Sequence, residues 1–282
     1  MSKTINLRKK KFTGLKIIAT VFGALILSVA GIKAGDNFMN KKSGGNESGS
    51  VCPAEMVPVS SPLGGFCIDR YEATPNSACP HQNPQAQNET RTNLDYADCK
   101  AETKKGAIPW RNISQDQAAV ACAKAGKRLA TNQEWLQASL GTPDSETVWG
   151  SDDCQVDNNW IEQPGATGSG QKCMSSAGAF DMIGNVWEWV QGAVMDGVME
   201  NKILPEQGFV ESLDGAGFPG KTNSETANDN YNKDFFWIKA KGLRGIVRGG
   251  YWNNKTDAGQ YAVYVVAPPD AAESGIGFRC VK

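Results

Sequence analysis

Residues 107–139 read AIPWRNISQDQAAVACAKAGKRLATNQEWLQAS, and this stretch holds two helix starts. Ser114 stands three residues before Gln117. The serine hydroxyl can accept a backbone N–H of the first turn, and the glutamine can reach back to the capping residue. An alanine-rich segment runs on to Ala125, and Gly126 suits the left-handed position that ends a helix. Thr131 and Glu134 repeat the arrangement, which opens a second helix to about Leu140, with Gly141 after it.

Toward the C-terminus, Gly245–Arg248, Tyr261–Val266 and Ile276–Val281 are dominated by β-branched and aromatic residues between Gly, Pro and Asp breaks, so they read as strands. Residues 191–234 carry many Gly, Asn and Asp and little periodicity. Irregular backbone of that extent needs disulfides, aromatic rings or ions to hold it. Toward the N-terminus, Ala78–Asn93 is rich in Asn, Gln and Pro and reads as a loop between Cys79 and Cys99. Lys41–Ser50, KKSGGNESGS, reads as a flexible tether.

The first forty residues differ from the rest. Lys3, Arg8, Lys9, Lys10, Lys11 and Lys16 form a basic head, an apolar run extends from Ile17 to Ile32, and Lys33 closes it. That run covers roughly 24 Å as a helix, short for a membrane core. Ser28-Val29-Ala30 offers a small-residue cleavage site, which makes a signal peptide. Left uncleaved, the same run is a signal anchor with its basic end in the cytoplasm. Both readings send the remainder out of the cytoplasm. The organisation is then 1–33 head and apolar segment, 34–50 linker, and 51–282 a single globular domain.

Cysteine usage agrees. All eight cysteines follow the apolar run, no CxxC pair occurs, and His81 is the sole histidine, so a disulfide framework in an oxidising compartment is favoured over zinc. The net charge of −1 gives no general attraction for nucleic acid, and none is expected as a partner.

Four boxes occur in order. Ala107–Ser139, GAFDMIGNVWEWV (Gly178–Val190), VRGGYWNN (Val247–Asn254) and GIGFRCV (Gly275–Val281) resemble segments of the formylglycine-generating enzyme, or sulfatase-modifying factor, family. Glu55–Thr74 is similar to that family's opening strands. The resemblance covers roughly residues 52–282. It implies an α+β, C-type-lectin-like fold: a small twisted antiparallel sheet, two helices and much ordered loop. It also implies a bridge from Cys122 on the first helix to Cys280 on the last strand, with Cys154–Cys173 the next pair. Cys52–Cys67 and Cys79–Cys99 are then left, although sequence alone does not fix connectivity.

The family enzyme uses two cysteines, after its RGGS strand, that hold copper(I). The corresponding positions here are Asn254 and Gly259, so no copper and no oxidase chemistry are expected. The sulfoxide synthases related to that family need a histidine cluster, which one histidine cannot supply. The resemblance also implies a calcium site from Asp181, Gly184, Val186 and Glu188, two carboxylates and two main-chain carbonyls, all hard oxygen donors. Trp187 and Trp189, alternating around Glu188, read as core.

Residues 248–280, RGGYWNNKTDAGQYAVYVVAPPDAAESGIGFRC, further resemble the variable region of diversity-generating retroelement target proteins, which share the fold. The positions expected to contact a ligand are Tyr251, Asn253, Lys255, Asp257, Gln260, Tyr261, Tyr264, Val266, Ala267, Ala271, Glu273 and Gly275. Alternation turns Val263 and Val265 inward and Tyr264 and Val266 outward. The resulting expectation is a non-catalytic protein displayed on a cell or particle surface. It would hold a protein or glycan ligand on residues 251–275 and attach to a membrane through its N-terminal segment. The alternatives are an active oxidase and an accessory envelope protein.

Overall fold

The computed structural model describes residues 52–61, 64–144 and 148–282; the expectations for residues 1–50 lie outside them. In chain order the elements begin with strands β1 (Met56–Val59), β2 (Phe66–Asp69) and β3 (Ala73–Pro75). Helix α1 (Gln87–Asp95), β4 (Ala101–Thr103), α2 (Gln115–Lys124), β5 (Arg128–Leu129) and α3 (Asn132–Ser139) follow. The long strand β6 (Trp187–Met195) leads into β7 (Val198–Met199), β8 (Lys202–Ile203), β9 (Gly208–Leu213) and β10 (Pro219–Asn223). The chain ends with β11 (Phe235–Ile238), β12 (Leu243–Arg248), β13 (Val263–Val265), β14 (Ile276–Phe278) and β15 (Cys280–Val281).

Both capping boxes form as the sequence dictates. Ser114 N–H donates to Gln117 Oε1 at 3.0 Å, and Thr131 N–H donates to Glu134 Oε2 at 2.9 Å. Gly126 takes the left-handed conformation after α2, at φ +69°. The buried face of α2 presents Gln115, Ala118, Ala121 and Cys122. Gln115 Nε2 donates to the Val190 and Gly192 carbonyls at 2.6 and 2.8 Å, which ties the helix to β6. Cys122 and Cys280 form the bridge between helix and final strand, and the other three bridges join Cys52–Cys67, Cys79–Cys99 and Cys154–Cys173.

The α+β class of the C-type-lectin-like expectation holds, with differences in detail. Among the described residues the main sheet has nine strands, ordered β10-β9-β11-β13-β12-β6-β7-β8 with β14 also on β6. Two of its pairings, β11 with β13 and β14 with β6, are parallel, so it is larger and more mixed than a small antiparallel sheet. A third helix, α1, occupies the stretch read as a loop. It has no apolar stripe to betray it; polar contacts hold it instead. Trp110 Nε1–H donates to Thr90 Oγ1 at 3.1 Å, and Asn93 bonds both the N–H and the carbonyl of His81 at 2.8 Å. Residues 191–234, read as irregular, contain the rest of β6 and β7 to β10. These strands are short, and β9 keeps only Gly208 and Val210 fully buried, too little alternation to read.

Candidate functional site

The site is built where β11, β12 and β13 meet the start of β6. Val263 and Val265 are buried, and Tyr264 between them points to the opposite face and is half-buried. The parallel register sets Trp237 beside Tyr264. Trp187 stands close to both: its ring centroid lies 5.6 Å from that of Trp237, edge-on, and 5.6 Å from that of Tyr264. Tyr251 and Trp252 form a second pair, 4.9 Å apart. These five rings, with Asn254, Glu273, Ser274, Gly275 and Ile276, line a cleft of about 320 Å³.

Backbone geometry holds the cleft open. Gly249 and Gly250 both take positive φ, +95° and +91°, and a Cβ at Gly250 would stand 2.3 Å from that of Ala258. Only glycine fits such a turn without strain. The Asn254 side chain accepts the Tyr251 N–H at 2.9 Å, and the Trp187 N–H donates to the Gly275 carbonyl at 2.9 Å. A Cβ at Gly275 would lie 3.3 Å from the Tyr251 ring.

Of the residues expected to meet a ligand, Tyr251, Tyr264, Glu273 and Gly275 line this cleft. Asn253 and Lys255 are exposed beyond it, and Asn253 Oδ1 accepts from Asn158 at 2.7 Å. Asp257, Val266 and Ala271 are half-buried outside it. Gln260 and Tyr261 belong to a different patch, where Tyr261 packs edge-on against Tyr231 at 5.2 Å. Ala267 is buried in the core, 3% exposed, because the segment turns back under β12: its carbonyl accepts the Gly245 N–H at 3.0 Å. That removes Ala267 from the exposed face. The sequence reading did not select Trp237, although the run Phe235-Phe236-Trp237-Ile238 was a visible signal, and it took Trp187 as core alone. Trp187 is 5% exposed and is both core and cleft floor.

Asn254 and Gly259, the positions expected to correspond to the family's copper cysteines, are both committed to local structure. The Asn254 side chain is spent on the turn. Gly259 faces the buried carboxylate of Asp234, and a Cβ there would stand 2.0 Å from Oδ1. Asp234 Oδ2 accepts the Tyr261 N–H at 2.7 Å. Loss of hydration pushes its carboxyl well above the usual range, against the pull of backbone N–H groups and Arg248. Burial in turn lowers Arg248 to about 9; its guanidinium stacks 5.1 Å over Trp135 and donates to the Gln260 carbonyl at 2.9 Å. All eight cysteines of the chain are in disulfides.

The four residues expected around calcium lie on the turn into β6 and its first residues. Asp181 is buried with φ +55°, and its Oδ2 accepts the Gly168 N–H at 2.6 Å while Oδ1 has no partner among the described residues. Burial raises its carboxyl to about 7. Glu188 receives the Arg279 fork, Nη2 to Oε1 at 2.6 Å and Nε to Oε2 at 2.7 Å, and also Trp135 Nε1–H at 2.6 Å on Oε2. Arg279 Nε also donates to Oε1 at 2.9 Å, so both oxygens carry two donors and the roughly four lone-pair directions of the carboxylate are filled. Glu72 is a third fully buried carboxyl in this region, with Oε1 unpartnered, its pKa raised by burial and by Asp181 and Glu188. Burial and mutual repulsion favour the protonated forms of Glu72 and Asp181, while Arg279 pairs with Glu188. Of the two carboxyls expected around calcium, Asp181 keeps one oxygen without a partner among the described residues, and Glu188 is held by Arg279 and Trp135. Among the described residues no cluster of three or more His, Cys, Asp or Glu side chains could hold a metal.

Residues 29–282 match the family described as the sulfatase-modifying factor enzyme 1-like domain. Among solved structures, the chain is similar to the P3c variant of the Major Tropism Determinant, at 19% identity and a TM-score of 0.42 over 82% of this chain and 53% of that one. It is also similar to CarF, at 16% identity and 0.41 over 82% of this chain and 98% of that one. A third is Treponema denticola variable protein 1, at 13% identity and 0.36 over 82% and 99%. The chain spans about half the length of the Major Tropism Determinant variants it matches.

Proposed function

The chain belongs to the sulfatase-modifying factor enzyme 1-like family, and we propose that within it this protein is a non-catalytic, surface-displayed binding protein of the diversity-generating retroelement type. One observation carries the reading. The segment that would bear the family's reactive cysteines instead frames an open cleft lined by five aromatic rings, with Asn254 and Gly259 at the cysteine positions. A copper(I) centre needs soft thiolates, and every thiol is committed to a bridge. Rings of Tyr and Trp give large contact area at low entropic cost, which suits recognition. They sit on strands and on a glycine-shaped turn, so changes at exposed side chains leave the scaffold intact.

Four disulfides point to an oxidising compartment. Display at a cell or particle surface, through the basic and apolar N-terminal segment, is part of the proposal. So is calcium, held by Asp181 with the Gly184 and Val186 carbonyls near Glu188, where it would neutralise buried charge. The ligand is a protein or a glycan.

The test is the DNA beside the gene together with an oxidase assay. A near-copy of the 3′ end, differing chiefly at adenines and adjacent to a reverse transcriptase, is the expected finding. Copper-dependent oxygen uptake with a cysteine peptide would overturn the non-catalytic reading. A 3′ end without such a copy would overturn the diversified one and leave an accessory role with a fixed surface.

A further inference from the structure

The five-ring cleft has a composition that selects by charge. Trp187, Trp237 and Tyr264 form one group of its lining rings, with Trp187 5.6 Å from each of the others, and Tyr251 and Trp252 form a second, 4.9 Å apart. The face of an aromatic ring is the negative part of its quadrupole, so rings gathered around one space favour a cation inside it. Among the described residues, Glu273 is the only carboxylate in the lining, and no Lys, Arg or His lines the cleft. Glu273 is exposed, but its backbone is fixed: its carbonyl accepts the Asn112 N–H at 3.1 Å and the Ile276 N–H at 3.3 Å. Its charge reaches the site, since it contributes to raising the Tyr264 phenol after the larger effect of burial. The volume, about 320 Å³, is at the small end for ligand pockets, enough for a head group and not for an extended ligand.

The geometry points to an alkylated ammonium group as the moiety this cleft takes, enclosed by Trp237, Tyr264, Tyr251 and Trp252 over Trp187 and countered by Glu273. A strongly hydrated primary ammonium would lose more on entering such a site than one whose charge is spread over methyl groups. A neutral group of the same shape would gain only apolar contact. Gly275 leaves room in the lining, because a Cβ there would start 3.3 Å from the Tyr251 ring and 3.7 Å from that of Trp252. The inference rests on the reading of this face as a binding surface and adds the chemistry of what it binds.

The experiment is a titration of the full-length protein, followed by calorimetry and by the indole N–H resonances, with choline and with its uncharged isostere 3,3-dimethyl-1-butanol. Choline should bind and shift tryptophan indole signals, and the isostere should bind at least tenfold more weakly. Trp237→Ala should weaken choline about 5- to 30-fold, the range of a desolvated cation–ring contact, and Trp237→Phe should restore part of it. Glu273→Gln should weaken choline and leave the isostere unchanged, a charge effect that loss of folding would not mimic. Gly275→Leu should block both. Peptides carrying trimethyllysine or unmodified lysine then separate a protein source of the group from a free or lipid-borne choline. Equal binding of choline and isostere, or binding of neither, would overturn the assignment. Neither result touches the gene-neighbourhood and oxygen-uptake tests, so the two readings fail separately.

Discussion

Adding and withdrawing calcium is the perturbation that bears most directly on the buried acids Glu72, Asp181 and Glu188, the site proposed for that ion. The proposed ion would meet a free carboxylate oxygen on Asp181, with a second on Glu72 in the same buried group and Glu188 already forked by Arg279. A low ligand charge beside a fixed guanidinium places the site with weak extracellular modules, with Kd on the order of 10⁻⁴ to 10⁻³ M. At about 10 mM calcium the ratio of free ion to Kd is then roughly 10 to 100. An ion bound only by the folded state would add about 1.4 to 2.7 kcal/mol. For a domain of this size each kcal/mol moves the melting midpoint by roughly 2–4 °C, so the expected difference between calcium and EDTA is about 3 to 11 °C. The assay is thermal unfolding of residues 45–282, followed by circular dichroism, in calcium, in EDTA and in EDTA with excess magnesium. Magnesium should not substitute, since it demands a smaller, near-octahedral shell. Asp181→Ala should abolish the calcium response. A midpoint that is the same in EDTA would refute the charge-balance reasoning. The three carboxyls would then be accommodated by protonation and by Arg279 alone.

Cys122–Cys280 closes 158 residues and Cys52–Cys67 closes 15, so paired Cys→Ala replacement should cost about 5 and about 3 kcal/mol respectively in the chain-entropy account. Denaturant unfolding checks the order, and equal losses would count against a purely entropic origin. Asp234 has a folded pKa raised above that of the unfolded chain, so the folded state holds its proton more tightly. Its contribution is therefore fully present below about pH 4 and is lost as pH rises through the folded value. Asp234→Asn should flatten that fall in melting midpoint, and an unchanged profile would rule out Asp234 as its source. Finally, Asn254→Cys with Gly259→Cys should not create an oxidase. The new Cβ at 259 meets the Asp234 carboxylate at 2.0 Å, and the overpacking should cost about 1 to 3 kcal/mol. Copper-dependent oxygen uptake by this variant would show that Asp234 moves aside.

The sequence was most readable where a local rule acts within a few residues. Both capping boxes, the two helices they start and the inward Val263 and Val265 are of this kind. Helix α1 was not legible, because Thr90 and Asn93, not an apolar stripe, anchor it to Trp110 and to the His81 backbone. The candidate site was legible in part. Tyr251, Tyr264, Glu273 and Gly275 come from one segment whose resemblance could be read. Trp237 comes from another strand, and only a parallel pairing with β13 puts it beside Tyr264.

What the sequence by itself determined, then, is where cysteines do and do not stand and which aromatic and polar residues the last segment carries. Asn254, Gly259 and a cysteine set wholly able to pair already exclude two free thiolates on the last segment. The tertiary structure alone decided which of those recognition residues meet. It set Ala267 into the core, sent Gln260 and Tyr261 to another patch, and joined rings from four separate stretches around one cleft. Side-chain alternation assigns a residue to a face of its own strand. Only strand register and backbone turns at Gly249 and Gly250 bring those faces together in space.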